Sequence, residues 1–203
     1  MKRLILGLAL VSMAATSWAG GDLLVHPAQF CKKNECYLVP SKKDWSFKAR
    51  RGGIVYGSLF YTFRVSEVPK QIRSSQETYG GFTMIKLNSG FISYGELQAK
   101  DVEDIHKPFL YAFKTPANEL PKKLPFDNDI LGYCYTSKEM MEKGTELELY
   151  ETEQGTIIVG KHPDRTNIFV LNKDYKKKVL HIILAKKAIK HMPQVLATLN
   201  QDI

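Results

Sequence analysis

The sequence has little cysteine and tryptophan and, beyond its first nineteen residues, no long apolar run. Three cysteines among 203 residues exclude a disulfide-dense scaffold, in which cross-links replace a core. A helix that spans a bilayer takes roughly 20 consecutive apolar residues, and the chain after Gly20 offers no such run. No transmembrane anchor is therefore expected in that part.

Signature chemistry is equally sparse. There is no G-x-S-x-G elbow to present a serine nucleophile. Gly52-Gly53 and Gly80-Gly81 lack the following Lys-Ser or Lys-Thr of a phosphate loop. Cys31 and Cys36 stand in C-x4-C spacing, whereas a redox pair wants C-x-x-C so that one thiol resolves the other. His26, Cys31 and Cys36 recur every five residues without a fourth ligand, and disulfide formation competes for the two thiols. Asp127-Asn128-Asp129 lacks the glycine and bidentate glutamate of a calcium loop. Asp101, Glu103 and Asp104 read as acids that favour a helix start. No catalytic residue, cofactor or metal is expected, and the reading leans away from an enzyme.

What is present begins with export. Met1-Lys2-Arg3, an apolar stretch from Leu4 to Val11 and small residues through Ser17 and Ala19 match the three parts of a secretory signal peptide. Cleavage after residue 19 leaves a chain of 184 residues in the periplasm or secreted medium. In that oxidising compartment two of the three cysteines pair. Three connectivities exist; the local Cys31–Cys36 bridge is preferred, since Asn34 favours a turn between them. Cys134, among Tyr133 and Tyr135, reads as a buried thiol. A dyad of Cys134 with His106, His162 or His181, giving a small thiol-dependent hydrolase, is the second alternative.

Loss of Lys2 and Arg3 leaves 27 basic against 21 acidic side chains, a net charge of +6. The distribution matters more: Cys31 to Arg73 carries +7, Ser74 to Asn172 carries −5, and Lys173 to His191 carries +6. Nucleic acid is excluded for an exported chain. Lys48, Arg50 and Arg51, with Lys176, Lys177, Lys178, Lys186, Lys187 and Lys190, are the candidate surface for an anionic partner. Exposed lysines that keep a protein soluble account for the same residues more simply.

Short aromatic and β-branched segments separated by turn residues read as strands. They are Cys36 to Val39, Trp45 to Ala49, Ile54 to Val65, Phe82 to Leu87, Phe91 to Leu97, Phe109 to Lys114, Glu146 to Tyr150, Thr156 to Lys161 and Asn167 to Leu171. Asn88-Ser89-Gly90, Glu153-Gln154-Gly155 and His162 to Arg165 are hairpin turns. Thr136 with Glu139 has capping-box spacing for a short helix ended by Gly144. Val179 to Leu184 is a last strand, and an amphipathic helix follows from about residue 186 to 199, with a kink or restart at Pro193.

The expected architecture is mainly β: an antiparallel sandwich or barrel of about 8–10 strands with a C-terminal helix. Residues 20–203 form a single domain, with 115–129 as a surface excursion or subdomain seam. The lipocalin architecture is an analogy of fold only, because Lys43-Asp44 precedes Trp45 where a G-x-W signature belongs. The functional expectation is an exported, non-catalytic envelope module for a protein or small ligand. The alternative is a cationic protein that docks on anionic lipid or polysaccharide.

Overall fold

The structure is a computed structural model that describes residues 27–29, 31, 35–48, 52–58, 60–77, 80–98, 101–141 and 143–199. The signal segment, Arg50, Arg51 and His26 lie outside the described residues.

The strands are β1 (Ser41–Lys43), β2 (Ile54–Gly57), β3 (Thr62–Val65), β4 (Gln71–Glu77), β5 (Gly80–Leu87), β6 (Gly90–Gln98), β7 (Glu146–Thr152), β8 (Gly155–His162), β9 (Arg165–Asn172) and β10 (Lys178–Ala185). Eight of them form one sheet in the order β1-β7-β8-β9-β10-β6-β5-β4, and β2 with β3 makes a separate two-stranded sheet. Every pairing is antiparallel except β1 with β7. The large sheet is open, with β1 and β4 at its edges, so the antiparallel mainly β expectation holds and no barrel closes.

The central strands are covered on both faces, which explains their nearly continuous apolar runs. Alternation divides their side chains. Ile157, Val159, Ile168, Val170, Leu180, Ile182, Ile85 and Ile92 enter a core beneath the β2–β3 hairpin and the C-terminal helix. Leu147, Leu149, Ile158, Phe169, Leu171 and Val179 enter a second core on the opposite face, under two helices. These are α1 (His106–Lys114) and α2 (Asn128–Glu139). The two faces are called the hairpin side and the helix side below.

Several expected elements differ from the observed ones, each for a local reason. Phe109 to Lys114 belongs to helix α1, not to a strand. Phe109, Ala112 and Phe113, at steps of three and four, present one buried face. Phe109 and Phe113 stack at 4.9 Å and both rest 5.4 Å from Phe169. Pro108 is tolerated because it falls in the first turn, where an N–H has no helical partner. Helix α2 begins ten residues earlier than the Lys138-led run suggested. Asp127 caps it, its Oδ1 accepting from the N–H groups of Asp129 at 2.9 Å and Ile130 at 3.3 Å. Thr136 is therefore no cap; inside the helix its hydroxyl donates to the Gly132 carbonyl at 2.9 Å.

Ile54 to Val65 is not one strand but the hairpin β2–β3. Ser58 N–H donates to the Tyr61 carbonyl at 2.8 Å. Gly57 has φ 147°, and a Cβ there would lie 1.9 Å from Tyr61 O. The turn reverses the alternation, so Tyr56 faces Phe63 across the pair with ring centroids 5.9 Å apart. Cys36 to Val39 holds a 3-10 turn (Glu35–Tyr37) instead of a strand. Trp45 to Lys48 is likewise no strand. Trp45 and Phe47 instead pack edge-on against Tyr150, at 5.7 and 5.6 Å.

At the C-terminus β10 leads into a 3-10 turn (Lys186–His191) and then α3 (Met192–Thr198), which restarts with Pro193 in its first turn. Residues 115–127 connect α1 to α2 and include a 3-10 turn (Ala117–Glu119). None of the helices among the described residues is long and apolar enough to cross a membrane.

Candidate functional site

The cysteines pair as the spacing prefers. Cys31 and Cys36 form a disulfide, with Cα atoms 5.4 Å apart. Cys134 is free and fully buried in α2. Burial in that apolar setting pushes its thiol pKa up to about 12, because the thiolate has lost its water. A thiol in this state is protonated and inaccessible, which opposes use as a nucleophile.

His106 and His181 have other tasks. His106 Nε2 lies 2.8 Å from the Lys178 carbonyl, and the His106 backbone N–H donates to Asp104 Oδ1 at 3.0 Å. His181 stacks on Phe169 at 4.3 Å, with Nε2 3.1 Å from Asn167 Oδ1. Burial lowers its pKa to about 3, so the ring is neutral. Lys138 is a further buried group, unremarkable within its polar run. Its Nζ donates to the Ala112 and Phe113 carbonyls at 3.1 and 3.4 Å, satisfying the C-terminal end of α1. Desolvation brings its pKa down to about 7.

The lysine-rich C-terminal run is divided by the strand that it contains. Lys176 and Lys177 are exposed in the β9–β10 turn, and Lys186, Lys187 and Lys190 follow the other end of β10. Eight residues of strand hold the two groups roughly 23 Å apart. Lys178 is engaged: its Nζ lies 2.6 Å from Glu96 Oε2 and 3.6 Å from the centre of the Phe60 ring. Glu96 Oε1 also accepts from the Ser58 hydroxyl. Lys190 lies 3.5 Å from Glu67 Oε2. Lys48 is exposed beyond β1.

Glu67 belongs to a cluster that superficially has triad chemistry. Its Oε2 accepts from the Ser89 hydroxyl at 2.6 Å and lies 3.0 Å from His191 Nε2, which is itself 3.0 Å from Ser89 Oγ. In a catalytic triad the acid holds the ring nitrogen remote from the serine. Here acid and serine share one nitrogen, and the serine proton already rests on the carboxylate. The Ser89 hydroxyl and then its N–H are the largest bonds holding Glu67 down to a pKa of about 2. The cluster clamps the β5–β6 turn to the β3–β4 connection and the C-terminal 3-10 turn.

The surface with unused binding groups lies elsewhere, on the helix side of β4, β5 and β6. Strand register places Gln71, Lys86 and Phe91 in one cross-strand row and Arg73, Met84 and Ser93 in the next. Ile85 and Ile92 point the other way, into the hairpin-side core. Of the helix-side residues of β6, Leu97 is packed against the helical core, and the rows nearer β4 are not. Gln71, Arg73, Met84, Lys86 and Phe91 line an open recess of about 200 Å³. Met84 is 43% exposed. The Gln71 amide oxygen, in the orientation that satisfies both groups, accepts from Arg73 Nε and Nη2 at 3.1 and 3.2 Å. That contact fixes the guanidinium beside the recess with donors to spare.

None of these five residues was singled out by the sequence. Gln71-Ile-Arg-Ser-Ser-Gln-Glu77 lacks the apolar alternation of a half-buried strand. Gly80-Gly81, at the start of an alternating strand, were the available sign of a preceding partner. No family model, curated protein or solved structure matches the chain.

Proposed function

We propose that the protein is an exported, non-catalytic module of the cell envelope that binds an anionic partner on the helix side of β4–β6. The observation that carries the reading is the uncovered recess, in which Arg73 and Lys86 stand beside Met84 and Phe91. Two cations next to apolar surface select a partner with carboxylate or phosphate groups and an apolar part. The signal-like leader and the Cys31–Cys36 bridge support a location outside the cytoplasm.

The test is a photo-crosslinking amino acid at position 84 in cells, with Lys122 as a control site remote in sequence and in the α1–α2 connection. A discrete adduct from position 84, absent from the control and lost in Arg73→Glu/Lys86→Glu, is the expected result. Equal, diffuse labelling from both positions refutes the reading. Fractionation and the mass of the mature N-terminus test export separately.

A second reading is favoured by Lys186, Lys187 and Lys190, which share one 3-10 turn. There the protein docks peripherally on anionic lipid or glycan. Replacement of all three by glutamine is expected to abolish co-sedimentation with anionic vesicles; unchanged sedimentation removes this reading.

A further inference from the structure

We infer that β4 accepts an additional strand: an extended polypeptide segment that alternates acidic and apolar residues pairs with the edge of the eight-stranded sheet that no described strand covers. Its carboxylates meet Arg73 and Lys86 on the helix side, and its apolar side chains, on the opposite face, meet Ile72. The inference rests on the binding role proposed above and names the partner class.

Strand β4 is the terminal strand of the sheet, so half of its backbone donors and acceptors face outward. Natural edges are usually blunted by shortness, proline, bulges or covering elements. The opposite edge obeys this rule, since β1 has three residues. In contrast β4 has seven, contains no proline and pairs residue for residue with β5 from Gln71 to Glu77. Its serines turn back toward β5: Ser74 Oγ lies 3.0 Å from Thr83 Oγ1, and Ser75 Oγ donates to the Phe82 carbonyl at 3.4 Å. Ile72, on the hairpin side, is 52% exposed. An added strand therefore finds apolar contacts on both faces.

Charge selects among occupants. Lys70, Arg73 and Lys86 surround the edge. A second copy would bring the same three cations to the junction. An acidic segment relieves that repulsion, and opposite charges across a strand pair stabilise the pairing. Main-chain bonds along β4 supply affinity, while the recess reads alternate side chains.

The probe is the peptide (Glu-Val)4, titrated into isotope-labelled protein with the disulfide intact, with backbone amides followed by NMR. Shifts are expected over 70–77 and 82–93, together with slowed exchange of β4 amides. N-methylation of alternate peptide residues is expected to weaken binding about tenfold or more, since it removes several main-chain bonds. (Lys-Val)4 is expected to bind about tenfold more weakly than (Glu-Val)4, and Arg73→Glu/Lys86→Glu reverses the preference. Equal binding of the N-methylated peptide overturns strand addition but leaves the binding face intact. Decanoate that binds as tightly as (Glu-Val)4 also overturns it, assigning the recess to small amphiphiles. A concentration-dependent dimer broken by Arg73→Glu gives the edge to a second copy and overturns it as well. If neither peptide binds although position 84 captures an adduct in cells, the inference fails and the broader function stands.

Discussion

Replacement of Lys138 by methionine provides a direct measure of how this fold tolerates a buried amine. The side chain is fully buried, has no carboxylate beside it among the described residues and bonds to two carbonyls at the end of α1. Folding lowers its pKa from 10.5 to about 7. A base with a depressed folded pKa costs stability below that value, and the cost disappears as pH rises toward the unfolded value. Each unit is worth about 1.4 kcal/mol, so wild type should gain about 3 kcal/mol on Lys138→Met between pH 6 and pH 9.5. The variant also leaves the Ala112 and Phe113 carbonyls without this donor, a pH-independent loss of about 1–3 kcal/mol each. Near pH 6 the two effects oppose one another; near pH 9.5 the variant is clearly the weaker protein. Cys134 and Tyr135 also have raised pKa values, but they are common to both chains and cancel in the difference. The assay is urea unfolding followed by fluorescence at half-unit pH steps. Lys138→Arg is the control, since a guanidinium keeps its proton throughout and should stay destabilised at every pH. A wild-type minus Lys138→Met difference that is flat to within about 0.5 kcal/mol refutes the reasoning, because the amine then titrates alike in both states.

The acid limb of stability should depend on two groups. Glu67, at about 2 when folded and 4.5 otherwise, contributes stability that is present above pH 4.5 and lost as pH falls toward 2. Glu67→Gln should flatten acid unfolding in that window. His181, lowered from 6.5 to about 3, makes the fold lose stability from pH 6.5 downward as the unfolded ring takes up its proton. Its ring resonances should therefore show no titration in native protein between pH 7 and pH 4.5. Cys134 should resist thiol reagents in native protein and react fully in denaturant; rapid native labelling would contradict its burial. Phe169→Ala removes the ring shared by Phe109, Phe113 and His181, and should cost about 3–5 kcal/mol in equilibrium unfolding.

The parts of the fold legible in the sequence are those in which local chemistry and final environment agree. Strands β5 to β10, their end residues aside, carry period-two or fully apolar patterns with turn residues between them, and register follows directly. The Phe109 segment misled because aromatic composition suits a strand, while the decisive signal was the three-and-four spacing of Phe109, Ala112 and Phe113. Helix α2 was hidden by Tyr133, Cys134, Tyr135 and Thr136, weak helix formers held in place by packing on the sheet. Its cap, Asp127, is inconspicuous in a polar stretch just after Pro125.

The candidate site was the least legible part for a physical reason. A surface strand such as β4 need not carry a buried stripe, so no hydrophobic period announces it. Basic runs attract attention in a sequence because they are contiguous, yet contiguous lysines Lys176 to Lys190 are separated by the length of β10, and Lys178 and Lys190 already face Glu96 and Glu67. Arg73 and Lys86 are thirteen residues apart and inconspicuous, but the β4–β5 register makes them diagonal neighbours on one face. Recognition by this fold is thus set by which residues a hairpin superimposes and which half of the sheet the helices leave open. Shifting the β4–β5 register by one residue would turn Arg73 to the opposite face. Binding at the recess should consequently be more sensitive to a one-residue insertion between β4 and β5 than to neutralisation of the C-terminal lysines.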